Sequence, residues 1–455
     1  MTTQVGTDLV EHHWTPQPEA AGLVTELLVQ ALRASPWLSD LAQRMREDTG
    51  TRLVDWVCAI EISTDGPIEQ RLRESGFSEL ETEDRTLWRH GAGIFPQVVT
   101  SPGGTRRVTL MVESVADFLI AHRLTERISI LGEPLANVRA ARVSVDNRLE
   151  CQVVEQHGTH ALAPDTIEPQ LAQAVLFHRE AFRLRRRGFE HGADGFEHAR
   201  RLIETAGFEL GVSRTCDLFF AAEREYWQSR NHAARVQKSR QDRLGLGWAN
   251  HDHHTYRSSR EHFTRLIAVL ETLGFLCRER FYAGETAGWG AQVLEQPDCG
   301  IVIFADVDLS PDEVAGDFAH EPLAARDHLG TVGLWCRLHG EAFLEAGMHH
   351  LECRFDYEAA RSQLTRAGVE TMPPFTDLPY LKQAFTVGEI WPVERQRIES
   401  LLAERLITPD DAARFRDAGA LGSHLEILQR DDGYKGFNQT GIDEIIRKTD
   451  PRKAD

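Results

Sequence analysis

The chain has no Cys-x-x-Cys pair, no excess of basic charge, and no apolar run near the ~20 residues that span a bilayer. Each absence removes a class of function. The seven cysteines stand singly at Cys58, Cys151, Cys216, Cys277, Cys299, Cys336 and Cys353. That spacing predicts buried reduced thiols rather than a disulfide framework or a zinc knuckle. The N-terminus lacks a basic-then-apolar signal pattern, and with no membrane-length run the expectation is a cytoplasmic protein without a membrane partner. A formal charge of −19 argues against nucleic acid as the main partner. The local basic run Arg183-Leu184-Arg185-Arg186-Arg187 reads as one solvated helix face. A length of 455 residues allows two or three domains and a large core, and leaves a homo-oligomer open.

What is present is a repeated pattern. Residues 1–50 read as an N-terminal helical segment broken at Pro36. Residues 51–160 read as two β-α-β-β-β units, and 161–245 as a helical connector ending in one long amphipathic helix over 217–243. Residues 246–395 read as two further β-α-β-β-β units, whose helices stop at Gly274 and Gly368. Residues 396–455 read as C-terminal helices and a tail that covers the site, with Thr408 and Pro409 opening one helix. The repeat is one of pattern rather than letters. The fold expectation is α+β: paired βαβββ modules, of the vicinal oxygen chelate or glyoxalase-like kind, forming half-open barrels with added helical segments.

Two strands carry the chemistry. In Asp252-His253-His254-Thr255-Tyr256-Arg257, strand alternation puts His253, Thr255 and Arg257 on one face. In His349-His350-Leu351-Glu352-Cys353-Arg354, it groups His350, Glu352 and Arg354. Both are first strands of units, and both contain His-x-x-x-Arg. The paired units resemble the vicinal oxygen chelate superfamily, and that resemblance implies metal ligands on first and last strands. The last strand of the fourth unit is read as 388–391, which offers Glu389. The last strand of the third unit, Gly300-Ile301-Val302-Ile303-Phe304, is apolar and offers nothing. His253, His350 and Glu389 are therefore the expected metal ligands, a two-histidine, one-carboxylate set suited to Fe(II), with Mn or Zn as alternatives. His251, His254 and His349 read as ordinary core or surface histidines.

The second half also resembles the 2-oxoadipate dioxygenase/decarboxylase (hydroxyglutarate synthase) family, non-haem iron enzymes of the vicinal oxygen chelate type. The resemblance rests on Asp252-His253-x-x-x-Arg257, on His349-His350-Leu351-Glu352-Cys353-Arg354, on Gly388-Glu389-Ile390, on Lys382-Gln383, and on Gly436-Phe437-Asn438-Gln439-Thr440. The chain departs from the family pattern at Thr440 (serine in the family), Lys382 (arginine) and Glu352 (threonine). The resemblance implies that Arg257 binds a substrate carboxylate, for which its two-pronged donor is suited. It implies roles in catalysis or substrate binding for Gln383, and in substrate binding for Gln439 and Thr440. The first half has no histidine on its first strands and reads as a metal-free copy.

The expected function is a non-haem Fe(II) dioxygenase that oxidatively decarboxylates and hydroxylates a small 2-oxo acid, with that acid and O2 as partners. Two alternatives keep the fold: extradiol-type ring cleavage, or a divalent-metal lyase or isomerase reaction. A third is a metal-free binding or scaffold protein.

Overall fold

The computed structural model describes residues 14–64, 66–81, 85–103, 106–438 and 450–452. Helices α1 (Pro18–Ala34) and α2 (Pro36–Arg44) open the chain. They separate where expected, because Pro36 takes the first helical position and the Ser35 hydroxyl accepts from Leu38 N at 3.1 Å.

The first sheet is built from β1 (Val57–Ser63), β2 (Phe77–Glu81), β3 (Thr86–His90), β4 (Gln97–Ser101), β5 (Arg106–Met111), β6 (Val138–Asp146) and β7 (Leu149–Gln156). Helices α3 (Gly66–Glu74) and α4 (Val115–Ala121) follow β1 and β5. The strand order is β2-β3-β4-β1-β5-β7-β6. Within each unit the first and last strands run parallel, β1 with β4 and β5 with β7, and the units join antiparallel through β1 and β5. This is the expected β-α-β-β-β topology, except that the first of the three later strands in the second unit shrinks to the bridge Leu131–Ala140.

The connector holds α5 (Pro169–Arg183), α6 (Gly192–Leu210), α7 (Val212–Ser229) and α8 (His232–Asp242). The single long helix expected over 217–243 is therefore two. Asn231 leaves the helical conformation, and its side chain accepts from Ala234 N at 2.8 Å to cap α8. Asparagine competes with the helix ladder in this way and prefers caps to interiors. Phe220 on α7 packs against Tyr256 and His254 of the second sheet. Each such fully buried aromatic contributes roughly 1.5–3 kcal/mol of transfer free energy.

The second sheet contains β8 (His251–Arg257), β9 (Leu276–Tyr282), β10 (Trp289–Gln296), β11 (Ile301–Asp308), β12 (His350–Arg354), β13 (Leu381–Phe385), β14 (Glu389–Trp391) and β15 (Ala420–Arg430). Helices α9 (Phe263–Thr272), α10 (Pro311–Ala315), α11 (Thr331–His339), α12 (Tyr357–Arg366), α13 (Arg395–Ala403) and α14 (Pro409–Ala418) lie between them. The order β9-β10-β11-β8-β12-β15-β13 repeats that of the first sheet, with β8 and β12 as the central antiparallel pair. Both sheets are open and mixed rather than closed barrels. The strand that lies parallel to β12 is β15, within the segment read from sequence as helices and tail. Among the described residues the short β14 pairs only with β15. Among the described residues no helix is long and apolar enough to cross a membrane.

Candidate metal centre

Strands β8, β12 and β15 lie side by side at the centre of the second sheet and bring His253, His350 and Glu426 together. Their ligand atoms lie within 4.8 Å of one another, and all three residues are buried. The expected third ligand, Glu389, is elsewhere: its Oε2 accepts from the backbone N–H of His232 at 2.7 Å, at the start of α8. It sits on β14, which does not border β12. Two helices, α13 and α14, separate β14 from the strand that does, so the carboxylate beside the imidazoles comes from β15.

Simple alternation does not hold along β8. His251 pairs with Cys353 and His254 with Leu351, so two residues of β8, Asp252 and His253, oppose the single Glu352 of β12. This is a β-bulge, which re-aims side chains. It lets both Asp252 and His253 reach Glu352, and those three form a second close group. His253 Nε2 lies 2.5 Å from Glu352 Oε2, while its Nδ1 lies 3.3 Å from Asp252 Oδ1. Asp252 is held in turn by Arg430, whose Nε and Nη2 donate to it at 3.0 and 2.9 Å. A carboxylate on Nδ1 fixes the tautomer that leaves Nε2 free to bind a metal.

His350 Nε2 lies 3.2 Å from Glu426 Oε2 and 2.9 Å from Thr255 Oγ1. Gln383 Nε2 donates to Glu426 Oε1 at 3.1 Å. His424, two residues before Glu426, stacks on His350 with ring centroids 5.0 Å apart, and neither of its nitrogens has a hydrogen-bond partner. His350 Nδ1, Gln383 Oε1 and both oxygens of Glu352 are likewise buried and unpartnered; the close approach of Glu352 to His253 lacks hydrogen-bond geometry. So many orphaned acceptors in one place is costly unless a cation joins them. Neighbouring ligands of one first-row metal, each about 2.1 Å from it, lie roughly 3 Å apart. The His253–Glu352 and His350–Glu426 contacts, at 2.5 and 3.2 Å, fall on either side of that spacing. The donor set of imidazole and carboxylate suits a divalent first-row ion.

The electrostatics agree. Burial, followed by the charges of Glu426 and Asp252, pushes Glu352 well above the usual carboxyl range. Burial, followed by His253 and Arg257, holds His350 well below the usual imidazole value, which keeps it in the neutral, ligating form. Burial opposes the charge of Asp252, yet Arg430 overrides it and holds that group far below normal. A bound divalent cation would let the neighbouring carboxylates ionise together.

Arg257 lies on the same face and is 3% exposed. Its Nε and Nη1 have no hydrogen-bond partner. The acid beside it is Asp306, 3.8 Å from Nε. Burial pushes Asp306 up to about 8 despite the pull of Arg257, so near neutral pH it is mostly protonated and the guanidinium has no strong anionic partner. The pocket is walled by Phe304 and Phe437, whose rings stand 4.8 and 5.2 Å from that of His253. Phe437 arrives because Arg430 Nη1 donates to the carbonyls of Tyr434 and Gly436, folding the following segment over the sheet. Gln439 and Thr440 lie outside the described residues.

His254 points away from the pocket, onto Phe220 and Arg224. His349 Nδ1 bonds the carbonyl of Gly422. The residues missed in the sequence are Glu426, His424, Asp306 and Arg430, and the bulge that recruits Asp252. One signal existed: Ser423-His424-Leu425-Glu426 sets an imidazole and a carboxylate on one face of a strand two residues apart.

No protein family matches the chain, and no curated protein matches it. Solved structures do. A glyoxalase superfamily protein from Ralstonia eutropha JMP134 is 12% identical, covers 58% of this chain and 96% of its own, and has a TM-score of 0.32. A triple mutant of 4-hydroxymandelate synthase from Streptomyces coelicolor is 13% identical, covers 87% and 98%, and has a TM-score of 0.28. Methylmalonyl-CoA epimerase from Mycobacterium tuberculosis is 14% identical, covers 40% and 88%, and has a TM-score of 0.24. The reaction of this chain has to be read from its own side chains.

Proposed function

We propose that the chain is a non-haem Fe(II)-dependent dioxygenase that decarboxylates and hydroxylates a small 2-oxo acid. The observation that carries this reading is a buried two-histidine, one-carboxylate group, His253, His350 and Glu426, in one pocket with the unpartnered guanidinium of Arg257. Such a set with open positions suits iron and oxygen chemistry. Overall, a 2-oxo acid and O2 would give CO2 and a hydroxy acid one carbon shorter, with one oxygen atom in the new carboxylate and the other in the hydroxyl. When bound, Fe(II) would supply the Lewis-acidic, oxygen-reactive centre.

The chain's own groups have separate tasks. Asp252 holds the proton of His253 on Nδ1, and Arg430 holds Asp252. Gln383 fixes the orientation of Glu426. Arg257 binds a substrate carboxylate through two parallel hydrogen bonds. Phe304 and Phe437 keep water from the reacting carbon. Gln439 and Thr440 follow Phe437 in sequence and are proposed to contact the far end of the substrate. The test is anaerobic loading with iron, a panel of 2-oxo acids, then oxygen. Coupled O2 uptake and CO2 release with one of them is the expected result, and bound iron without uptake with any would overturn it.

Glu352 favours a second reading. A further carboxylate 2.5 Å from His253 Nε2 could occupy another metal position, or act as a base. Either role suits a divalent-metal lyase or isomerase that needs no oxygen. Turnover of a carboxylate substrate under strict anaerobiosis would select it.

A further inference from the structure

Between the two sheets lies a cavity of about 1260 Å³ that none of His253, His350, Glu426 or Arg257 lines, although it borders the metal centre through Asp252, Arg430 and Phe437. Ten arginine and lysine side chains line it against eight aspartates and glutamates, although the whole chain carries −19. The positive surplus is concentrated where α7 meets the start of β8 and the end of β12.

Three guanidiniums there have unused donors. Among the described residues, Arg354 makes no side-chain hydrogen bond; its nearest acid there, Asp252, is 3.9 Å from Nε and is already held by two nitrogens of Arg430. Among the described residues, Arg224, 8% exposed, has no ion-pair partner, bonds His254 Nε2 at 3.3 Å, and leaves Nε unpartnered. Arg214, 7% exposed, gives one bond to the carbonyl of Leu135 and leaves Nε and Nη1 unpartnered, with Asp217 3.8 Å from Nη1. Asp217 is shared, since His157 Nδ1 lies 3.0 Å from the same oxygen. His251 adds an unpartnered Nδ1 to the same wall. The other facing acids are already engaged: Glu155 by Arg139 and the N–H of Val115, and Asp252 by Arg430. Buried guanidinium nitrogens without acceptors are costly, and a small anion relieves that cost.

We propose that this cavity binds a small oxyanion carrying two negative charges, gripped by Arg354 and Arg224 beside His251. A phosphate group and a short dicarboxylate share that chemistry. The site adjoins the β8 bulge through Asp252, but neither its existence nor its test depends on what the metal pocket does.

The test is calorimetric titration of the full-length protein as purified with inorganic phosphate in one arm and succinate in the other. Ionic strength is held constant with chloride, which also serves as the control titrant. The expected result is saturable, one-to-one binding in at least one arm, and the tighter arm names the source. Arg354→Gln should weaken that binding at least tenfold, as loss of a charge-assisted contact does, with metal content unchanged. Arg224→Gln should do the same; should it fail to fold, Arg354→Gln, at a partly exposed position, decides alone. No saturation by either anion beyond the chloride control would overturn the proposal. So would binding that Arg354→Gln leaves unaltered.

Discussion

The two sheets share one strand order, yet they settle the charges on their central strands in opposite ways. In the first sheet Arg107 of β5 lies opposite Glu61 of β1 and beside Glu150 of β7, with ion pairs of 2.9 and 2.7 Å. The row is neutralised by the protein itself. In the second sheet the corresponding strands put Glu352 beside Glu426, with His253 against the former and His350 against the latter. Among the described residues no arginine forms an ion pair with either glutamate, Arg430 being held by Asp252, and both oxygens of Glu352 stay without a hydrogen-bond partner. Both first strands also contain a register shift, at Val57/Ala59 in β1 and opposite Leu351/Cys353 in β8. The scaffold is therefore common to both halves. What distinguishes them is whether the central row contains its own cation or leaves a place for one.

That contrast can be broken from either side. The largest effect is expected from Glu426→Ala, which should cut metal affinity by more than a hundredfold, read by metal analysis after dialysis. Glu389→Gln should leave metal content intact and cost only about 0.5–1 kcal/mol at the start of α8. Equal losses in the two variants would return the ligand role to Glu389. Next comes chelation of the metal. Where metal had been present at a hundredfold over its dissociation constant, removal should lower stability by about 3 kcal/mol. Scanning calorimetry reads this as a drop in Tm that added Fe(II) or Mn(II) reverses. In the first half, Arg107→Leu strands Glu61 and leaves Glu150 only Arg142, 3.3 Å away, and should cost about 1–3 kcal/mol without touching metal content.

Arg257→Lys should retain metal and raise the substrate concentration required by ten- to a hundredfold, about 1.5–3 kcal/mol, because one point charge replaces a two-pronged donor. The smallest expected effect concerns Asp306. Its carboxyl is raised to about 8, so between its unfolded value near 4 and pH 8 the folded state holds more protons than the unfolded one. Stability should then fall as pH rises through that window, and Asp306→Asn should flatten the profile. Above pH 8 the ionised Asp306 competes for Arg257, so the wild type should show a rising KM there and the variant should not. Parallel profiles for the two proteins would remove Asp306 from the pocket's electrostatics.

The repeat and the two histidine strands were legible because each relies on short-range pattern. Alternation along β8 and β12, a following helix and a glycine stop are all local. Glu426 was not legible for a topological reason. The strand that completes the fourth unit begins at Ala420, after α13 and α14, whereas sequence order pointed to the first strand on offer, which carries Glu389. β15 is also buried along nearly its whole length, on both faces, so it lacks the alternation that marks a half-buried strand. Asp252 was hidden by the bulge, since one extra residue reverses the parity from which facing was inferred. Asn231, a good cap inside an otherwise helical pattern, was the readable sign that the connector helix divides.

The helical detour between β14 and β15 has a consequence for how the protein is made. Domains generally fold from the N-terminus during synthesis. The first sheet and its self-contained ion pairs can form once residue 156 has emerged, but His350 waits nearly two hundred residues longer and Glu426 longer still. Until the ribosome has passed Arg430 the pocket has two imidazoles and no β15 carboxylate. Metal binding at the proposed centre would thus be a step of maturation, reserved for a chain whose first half is already assembled.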